Sequence, residues 1–423
     1  MSPTVSSPNA KGDCASTLAP KVDRWRILLV MVATQALVAG FLIYSFTLLI
    51  DPWMLEFTLD RATVLSAMTL HLVANGASAI FIGQIMDRMP SRLFVPAGLA
   101  LFAISLVLIS IASGFLWIGL IYALVLPVAY HLAGPLAAMS LIARNFEHRR
   151  GLALGLGAIG ASLGGVILPL SLTFLLTDFG WRLSLQALGA LTALVLIPLS
   201  YLVLRSESLP KSSSESPDLG SPRIGLSALL RNDGFRIYAG SIFLAFISFF
   251  AIQSNVAPYL ADLGAGSAGV ATVLASMSLA SVAGKLVAGV LADRLDNRLL
   301  FGAASGLSAI GAFLLMGTPA FEQALCAFIA LGFGFGAYLP LNSSLAIRIF
   351  GAQNVATILG ALSLVVTFCA MFPALAGLIR DRVGSYDLAL AVGGASALCS
   401  IALISMLKVT VPTWTGDTSA GEK

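Results

Sequence analysis

Charge is the scarcest thing in this chain. Only 10% of its 423 residues are Asp, Glu, Lys or Arg, where a soluble domain carries about a quarter. With 58% hydrophobic residues and a mean hydropathy of +0.94, that shortage excludes a water-soluble core and points to a chain whose solvent is mostly lipid. Cysteine is almost as rare. Cys14, Cys326, Cys369 and Cys399 show no paired or metal-like spacing, and three of them fall inside apolar runs. A disulfide framework and a metal centre are excluded, and small buried hydrophobes are the better reading. There is no P-loop and no nucleophile with a base beside it. An enzyme and ATP-driven chemistry are therefore not expected, nor is any cofactor. The polar first ~25 residues contain no short apolar stretch ending in a small-residue cleavage site, so no signal peptide is read there.

What is present is a series of apolar runs. A spanning helix needs about 20 mostly apolar residues, and twelve runs qualify: 27–50, 64–86, 93–113, 115–143, 150–176, 182–204, 237–260, 269–292, 299–318, 321–349, 354–379 and 386–408. Residues 205–236 differ in kind. They hold Lys211-Ser212-Ser213-Ser214-Glu215-Ser216-Pro217-Asp218 with Gly220 and Pro222, a polar linker without an apolar period. The expected organisation is a tail (1–26), a six-helix bundle (27–204), the linker, a second six-helix bundle (237–408) and a tail (409–423). Of the 24 Lys and Arg, placing the N-terminus inside puts nineteen on the cytoplasmic side. Four (Arg61, Arg182, Arg380 and Arg382) lie outside, and Lys285 is left within a span. The positive-inside rule then makes both termini cytoplasmic.

The halves repeat each other. Gly83, Asp87, Arg88 and Arg92 follow span two, and Gly289, Asp293, Arg294 and Arg298 follow span eight; both sets read G-x-x-x-D-R-x-x-x-R, 206 positions apart. Arg144, Phe146, Pro169 and Gly180 correspond to Arg348, Phe350, Pro373 and Gly384 at a displacement of 204. Two six-helix repeats are a transporter pattern, with the substrate at their interface.

These two loops in a six-plus-six chain resemble the signature of the major facilitator superfamily over roughly residues 25–408. A narrower resemblance, to the monocarboxylate transporter and oxalate/formate antiporter branch, rests on four stretches. They are Ala143-Arg144-Asn145-Phe146-Glu147-His148-Arg149-Arg150-Gly151-Leu152-Ala153 leading into span five, Tyr44-Ser45-Phe46, Asp60-Arg61-Ala62 and Gly284-Lys285. Leu48 stands where animal monocarboxylate transporters carry a lysine, and Ser281 and Val282 stand where their helix-eight aspartate is expected. Both depart from that proton-relay scheme. Gly160-Ala161-Ser162-Leu163-Gly164-Gly165 faintly resembles the antiporter motif of drug exporters, with Ala161 in place of its proline. The span-five glycines otherwise read as close-packing residues.

All twenty acidic residues fall in loops, tails or span ends. Lys285 is therefore the only one of the four charged types well inside a span, about 12 Å along the helix from Asp293. Burying a lysine at mid-membrane costs about 2.5–3.5 kcal/mol, and no intramembrane carboxylate offsets it. The matching position of the first half is Ala79, so packing alone needs no charge there. Two readings stand: Lys285 holds a substrate anion, or it snorkels toward the cytoplasm. The resemblance supports the first, since the branch binds substrate carboxylate with a basic residue of helix eight. Softer candidates are His71 and Asn75, Tyr130 and His131, Gln253 and Asn255, Tyr338 and Asn342, and Tyr44. Each either lines the site or makes an ordinary interhelical hydrogen bond. His131, with His71 as rival, is the candidate proton carrier.

The resemblance assigns gating to Asp87, Arg88, Arg92, Arg144, Asp293, Arg294, Arg298 and Arg348. Its aspartates pair with arginines or helix N-termini across the bundles and hold the cytoplasmic side shut. The expectation is an all-α membrane protein of the major facilitator fold that moves a small organic anion, a mono- or dicarboxylate, by alternating access, coupled to protons or by anion exchange. The lipid bilayer is its partner and nucleic acid is not, a monomer is expected, and the short loops suggest a bacterial inner membrane. Efflux of a drug or amphipathic compound is the rival within transport. A substrate-sensing receptor on a transporter scaffold is the rival outside it.

Overall fold

The computed structural model describes residues 24–146, 148–205, 226–253, 255–351, 354–369 and 371–407. Expectations for the two tails, for most of the linker and for the side chain of Gln253 fall outside the residues described. Among those that are, all regular structure is helical. This is what lipid demands of a chain that must satisfy its own backbone donors and acceptors within each segment.

Among the described residues ten helical stretches are long and apolar enough to cross a membrane, not twelve, and two local features account for the difference. The chain begins with α1 (Arg24–Phe57), α2 (Arg61–Met86), α3 (Ser91–Ser110) and α4 (Phe115–Asn145). Then comes one stretch of 55 residues, Arg150–Leu204. At 1.5 Å per residue it would be about 80 Å long, against roughly 30 Å of hydrocarbon. It is interrupted at Gly180, whose φ of 72° and ψ of 170° are not helical. The two arms are called α5 (150–179) and α6 (181–204). The second half holds α7 (Asp233–Gln253), α8 (Ser267–Ala292), α9 (Asn297–Leu314), α10 (Phe321–Phe350), α11 (Val355–Cys369) and α12 (Asp387–Ser405). The eleventh run is split. α11 stops at Cys369 and a separate helix, Phe372–Val383, follows with Pro373 in its first turn. Proline is tolerated there because the first N–H groups of a helix have no partner within it.

Two clusters fix the ends of the helices away from the repeated loops. Glu56 at the end of α1 accepts from Trp181 Nε1 at 2.5 Å and from the Arg182 guanidinium, which also donates to the carbonyls of Ser110 and Ala112. The turn at Gly180 is thereby tied to the far ends of α1 and α3. In the second half, Asp262 pairs with Arg380 at 3.0 Å, Tyr259 donates to the Leu315 carbonyl, and Asp387 accepts from Gly317 N at 2.8 Å. Both ion pairs lie within their own half.

Contact between the halves is densest along two seams, α2 against α11 and α5 against α8. Apolar burial is weak glue when the solvent is itself apolar, so such seams rely on small residues that let backbones approach. A Cβ at Gly155 would lie 2.6 Å from the Lys285 carbonyl oxygen, and one at Gly289 would lie 2.7 Å from that of Gly151. Gly83 and Gly360 meet the carbonyls of Ala356 and Ala79 in the same way. Ala79 and Lys285 are the pair related by the 206-residue repeat, so the two seams are copies of one design.

Candidate functional site

At the end of each seam an aspartate caps a helix of the other half. Asp87, which follows α2, accepts from the backbone N–H groups of Ala356 (3.2 Å) and Thr357 (2.8 Å) and from the Thr357 hydroxyl (2.7 Å). Asp293, which follows α8, accepts from Gly151 N (2.6 Å) and Leu152 N (3.1 Å). These N–H groups open α11 and α5. The first turn of a helix has unpaired donors and a partial positive charge, so a carboxylate satisfies both. The two caps are not equal. Asp87, its side chain 6% exposed, also takes an ion pair from Arg144, while the repeat partner Arg348 donates at 2.9 Å to the Ala292 carbonyl instead. Arg144 likewise reaches the Met86 carbonyl, and Met86 and Ala292 are again 206 positions apart.

Of the other gating candidates, Arg88, Arg92, Arg294 and Arg298 make no ion pair across the halves among the described residues. Arg298 pairs locally with Asp296 at 2.7 Å and donates to the Leu407 carbonyl; its hydrogen bond holds the Asp296 carboxyl below the usual carboxylate range. Arg88, Arg92 and Arg294 are exposed. Arg294, Arg298 and Arg348 line a cleft of about 360 Å³ with Asp293 and Asp296.

Lys285 lies deeper on the α5–α8 seam. It is only 8% exposed, and its Nζ donates to Ser162 Oγ of α5 at 2.5 Å. The lysine does not snorkel; it reaches across to the other half. An ammonium has three donors, and this neutral hydroxyl is its one acceptor among the described residues.

Other candidates separate into two groups. In the first half, His71 Nδ1 lies 3.2 Å from the Tyr122 carbonyl and His131 Nε2 lies 2.8 Å from that of Asn75. A carbonyl only accepts, so the facing nitrogen carries the proton in each ring. That leaves His131 Nδ1 as a lone pair without a partner, as is Asn75 Oδ1. Tyr130 packs edge-on against both histidines, at 6.1 and 6.0 Å between centroids. Tyr44 is 42% exposed, beside Gly165. In the second half the polar groups turn inward. The Tyr338 hydroxyl sits 3.3 Å from both Ser305 and Ser308 of α9, and Asn342 accepts from Tyr238 of α7. Asn255 donates to the Pro373 carbonyl at 3.0 Å. Tyr338 and Asn342 thus serve as helix–helix bonds inside one half, the ordinary reading of such residues.

Sequence reasoning passed over two residues. Thr357 supplies two of the donors to Asp87, and no motif marks it. Ser162 is the only hydroxyl in the glycine-rich stretch 160–165, a signal that the glycines around it hid.

Repeated halves, paired helix caps and a buried cation on the seam define a membrane transporter rather than an enzyme. The chain belongs to the Major Facilitator Superfamily, whose family profile matches residues 32–374. It is 30% identical over 275 residues to human Monocarboxylate transporter 11, covering 62% of this chain and 57% of that protein, so the match spans under three fifths of that relative's length. It is 23% identical over 387 residues to rat Monocarboxylate transporter 13, covering 90% and 88%. The fold matches the transporter FucP, solved in an outward conformation, with a TM-score of 0.69 at 15% identity, over 92% of this chain and all of that one. The protein is an integral, multi-pass membrane protein. Its curated relatives come from animals and fungi, so the expectation of a bacterial inner membrane draws no support from them.

Proposed function

We propose that the protein carries a small organic anion, a mono- or dicarboxylate, between two six-helix halves that alternate in exposing a central site. The observation that carries this reading is Lys285, a buried ammonium aimed across the seam with one neutral acceptor. An anion is the ligand that offsets its desolvation. Monocarboxylate transporters among the relatives support the same substrate class. A cation would meet like charge in a low-dielectric site, which disfavours it strongly.

The gates follow from the caps. Asp87 and Asp293 fasten the basic ends of the two seams, and the ion pairs at the far ends join no residue of one half to the other. That pattern supports a carrier shut at its basic, cytoplasmic side, with both termini there. Dividing the long stretch at Gly180, and joining α11 to the helix after it, supports twelve spans in two halves. Proton coupling, or exchange against another anion, supplies the driving force in this reading, and the unpartnered Nδ1 of His131 is the proton acceptor it offers.

The test is a thermal-shift screen of purified protein against acetate, pyruvate, oxalate and succinate, with Lys285→Ala and Lys285→Arg alongside. A ligand that binds the folded state raises its apparent stability. Stabilisation by a carboxylate in wild type, lost in Lys285→Ala and weakened in Lys285→Arg, is expected. A well-folded wild type that responds to no carboxylate would sink the anion reading and favour efflux of an amphipathic compound.

A further inference from the structure

The Lys285–Ser162 bond sits on the same helix pair as the Asp293 cap. Along α5, Gly151 and Leu152 donate to Asp293, Gly155 presses on the Lys285 backbone, and Ser162 accepts from the Lys285 ammonium. The eleven residues from Gly151 to Ser162 span about 16 Å. The seam is thus fastened at its basic end by a carboxylate and at its deep end by an ammonium, and both bonds join the two halves.

We propose that Ser162 is the counter-group that holds Lys285 in the empty carrier and yields it to the substrate, so that binding unfastens the deep end of the α5–α8 seam. The proposal rests on the reading of Lys285 as the anion site. Its chemistry is competition between two acceptors. A hydroxyl offers the ammonium only a dipole, whereas a carboxylate brings the full opposite charge that a buried ammonium needs to offset its desolvation, so the substrate takes the ammonium when it arrives. Burial sharpens this preference, because Ser162 alone leaves the other two Nζ–H donors unmatched. The repeat shows that the device belongs to one seam only. At the matching position of the α2–α11 seam stands Ala79, beside Gly360, and among the described residues that seam has only its basic-end cap, Asp87 with Arg144, Ala356 and Thr357. The α5–α8 seam answers to the substrate at its deep end, and Ser162 is the residue through which the site reaches the Asp293 cap.

The experiment uses the full chain in detergent. Thermal-shift titrations with the four carboxylates give affinities for wild type, Ser162→Ala, Ser162→Thr and Lys285→Ala. Backbone hydrogen exchange over 150–165 is followed with and without ligand. Removing one competing hydrogen bond to a charged group is expected to tighten carboxylate binding about ten-fold or more in Ser162→Ala, while Ser162→Thr, which keeps the hydroxyl, stays near wild type. Exchange over 150–165 should rise on ligand addition in wild type and already be raised in ligand-free Ser162→Ala. If Lys285→Ala abolishes binding but Ser162→Ala binds equally well or more weakly, Ser162 is not a displaced counter-group and the proposal falls, while the anion site stands. If no carboxylate stabilises wild type, the anion site itself fails and takes the proposal with it.

Discussion

Among individual residues the most telling contrast is between Asp87 and Asp293. They occupy the same place in the two repeats and cap helices in the same way, yet among the described residues Asp87 has four donors and Asp293 two. A hydrogen bond to a charged group contributes about 1.5–3 kcal/mol, and stranding the partner of a buried ion pair costs about 3–5 kcal/mol. Asp87→Asn should therefore cut transport by an order of magnitude or more with insertion intact, and Asp293→Asn should cut it less. Uptake normalised to the amount of protein in the membrane is the check, and the opposite ranking would contradict the asymmetry. The two aspartates and Lys285 are visible in the sequence because the aspartates recur in a repeated motif and a charge inside an apolar run is costly enough to stand out. Their partners are not, because they lie 141 and 142 residues from Asp293, 269 and 270 from Asp87 and 123 from Lys285. Spacing along a chain says nothing about which helix of the other half will face it.

For helices, length and apolarity place most of the elements, and the repeat places the seams. Facing direction is harder to read. Tyr338 and Asn342 are four apart on α10, as the site of a cavity would have them, but the same spacing serves equally well to bond α9 and α7, and it does. The seams themselves depend on having no side chain. Gly289→Ala puts a Cβ 2.7 Å from a backbone oxygen that cannot move without shifting α5, and overpacking of this kind costs about 1–3 kcal/mol. Gly119→Ala, where the new methyl meets nothing within 4 Å, is the control. The midpoint of thermal unfolding should fall by several degrees for the first and stay put for the second; equal midpoints would mean the seam is looser than its geometry.

In the whole molecule the proposal of twelve crossings turns on Gly180. α5 starts at the Asp293 cap, yet Trp181 and Arg182 touch Glu56, Ser110 and Ala112 at the opposite ends of α1 and α3. One crossing lies between those contacts. The proposed second crossing ends at Leu204: the α6 arm, 181–204, is about 36 Å long and returns alongside α3. A single unbroken helix would put the second half upside down relative to the first, and Asp87 and Asp293 would then lie on opposite faces of the membrane. Their caps join the same two halves at the same ends of the repeats, which supports the turn. Labelling tests this directly. In a chain freed of its four cysteines, Asp178→Cys, exposed beside the turn, should react with a membrane-impermeant maleimide in intact cells. Arg88→Cys, exposed in the first repeated loop, should react only after permeabilisation. Labelling of both positions from the same side would remove the turn at Gly180, and with it the twelve-span arrangement on which the alternating halves depend.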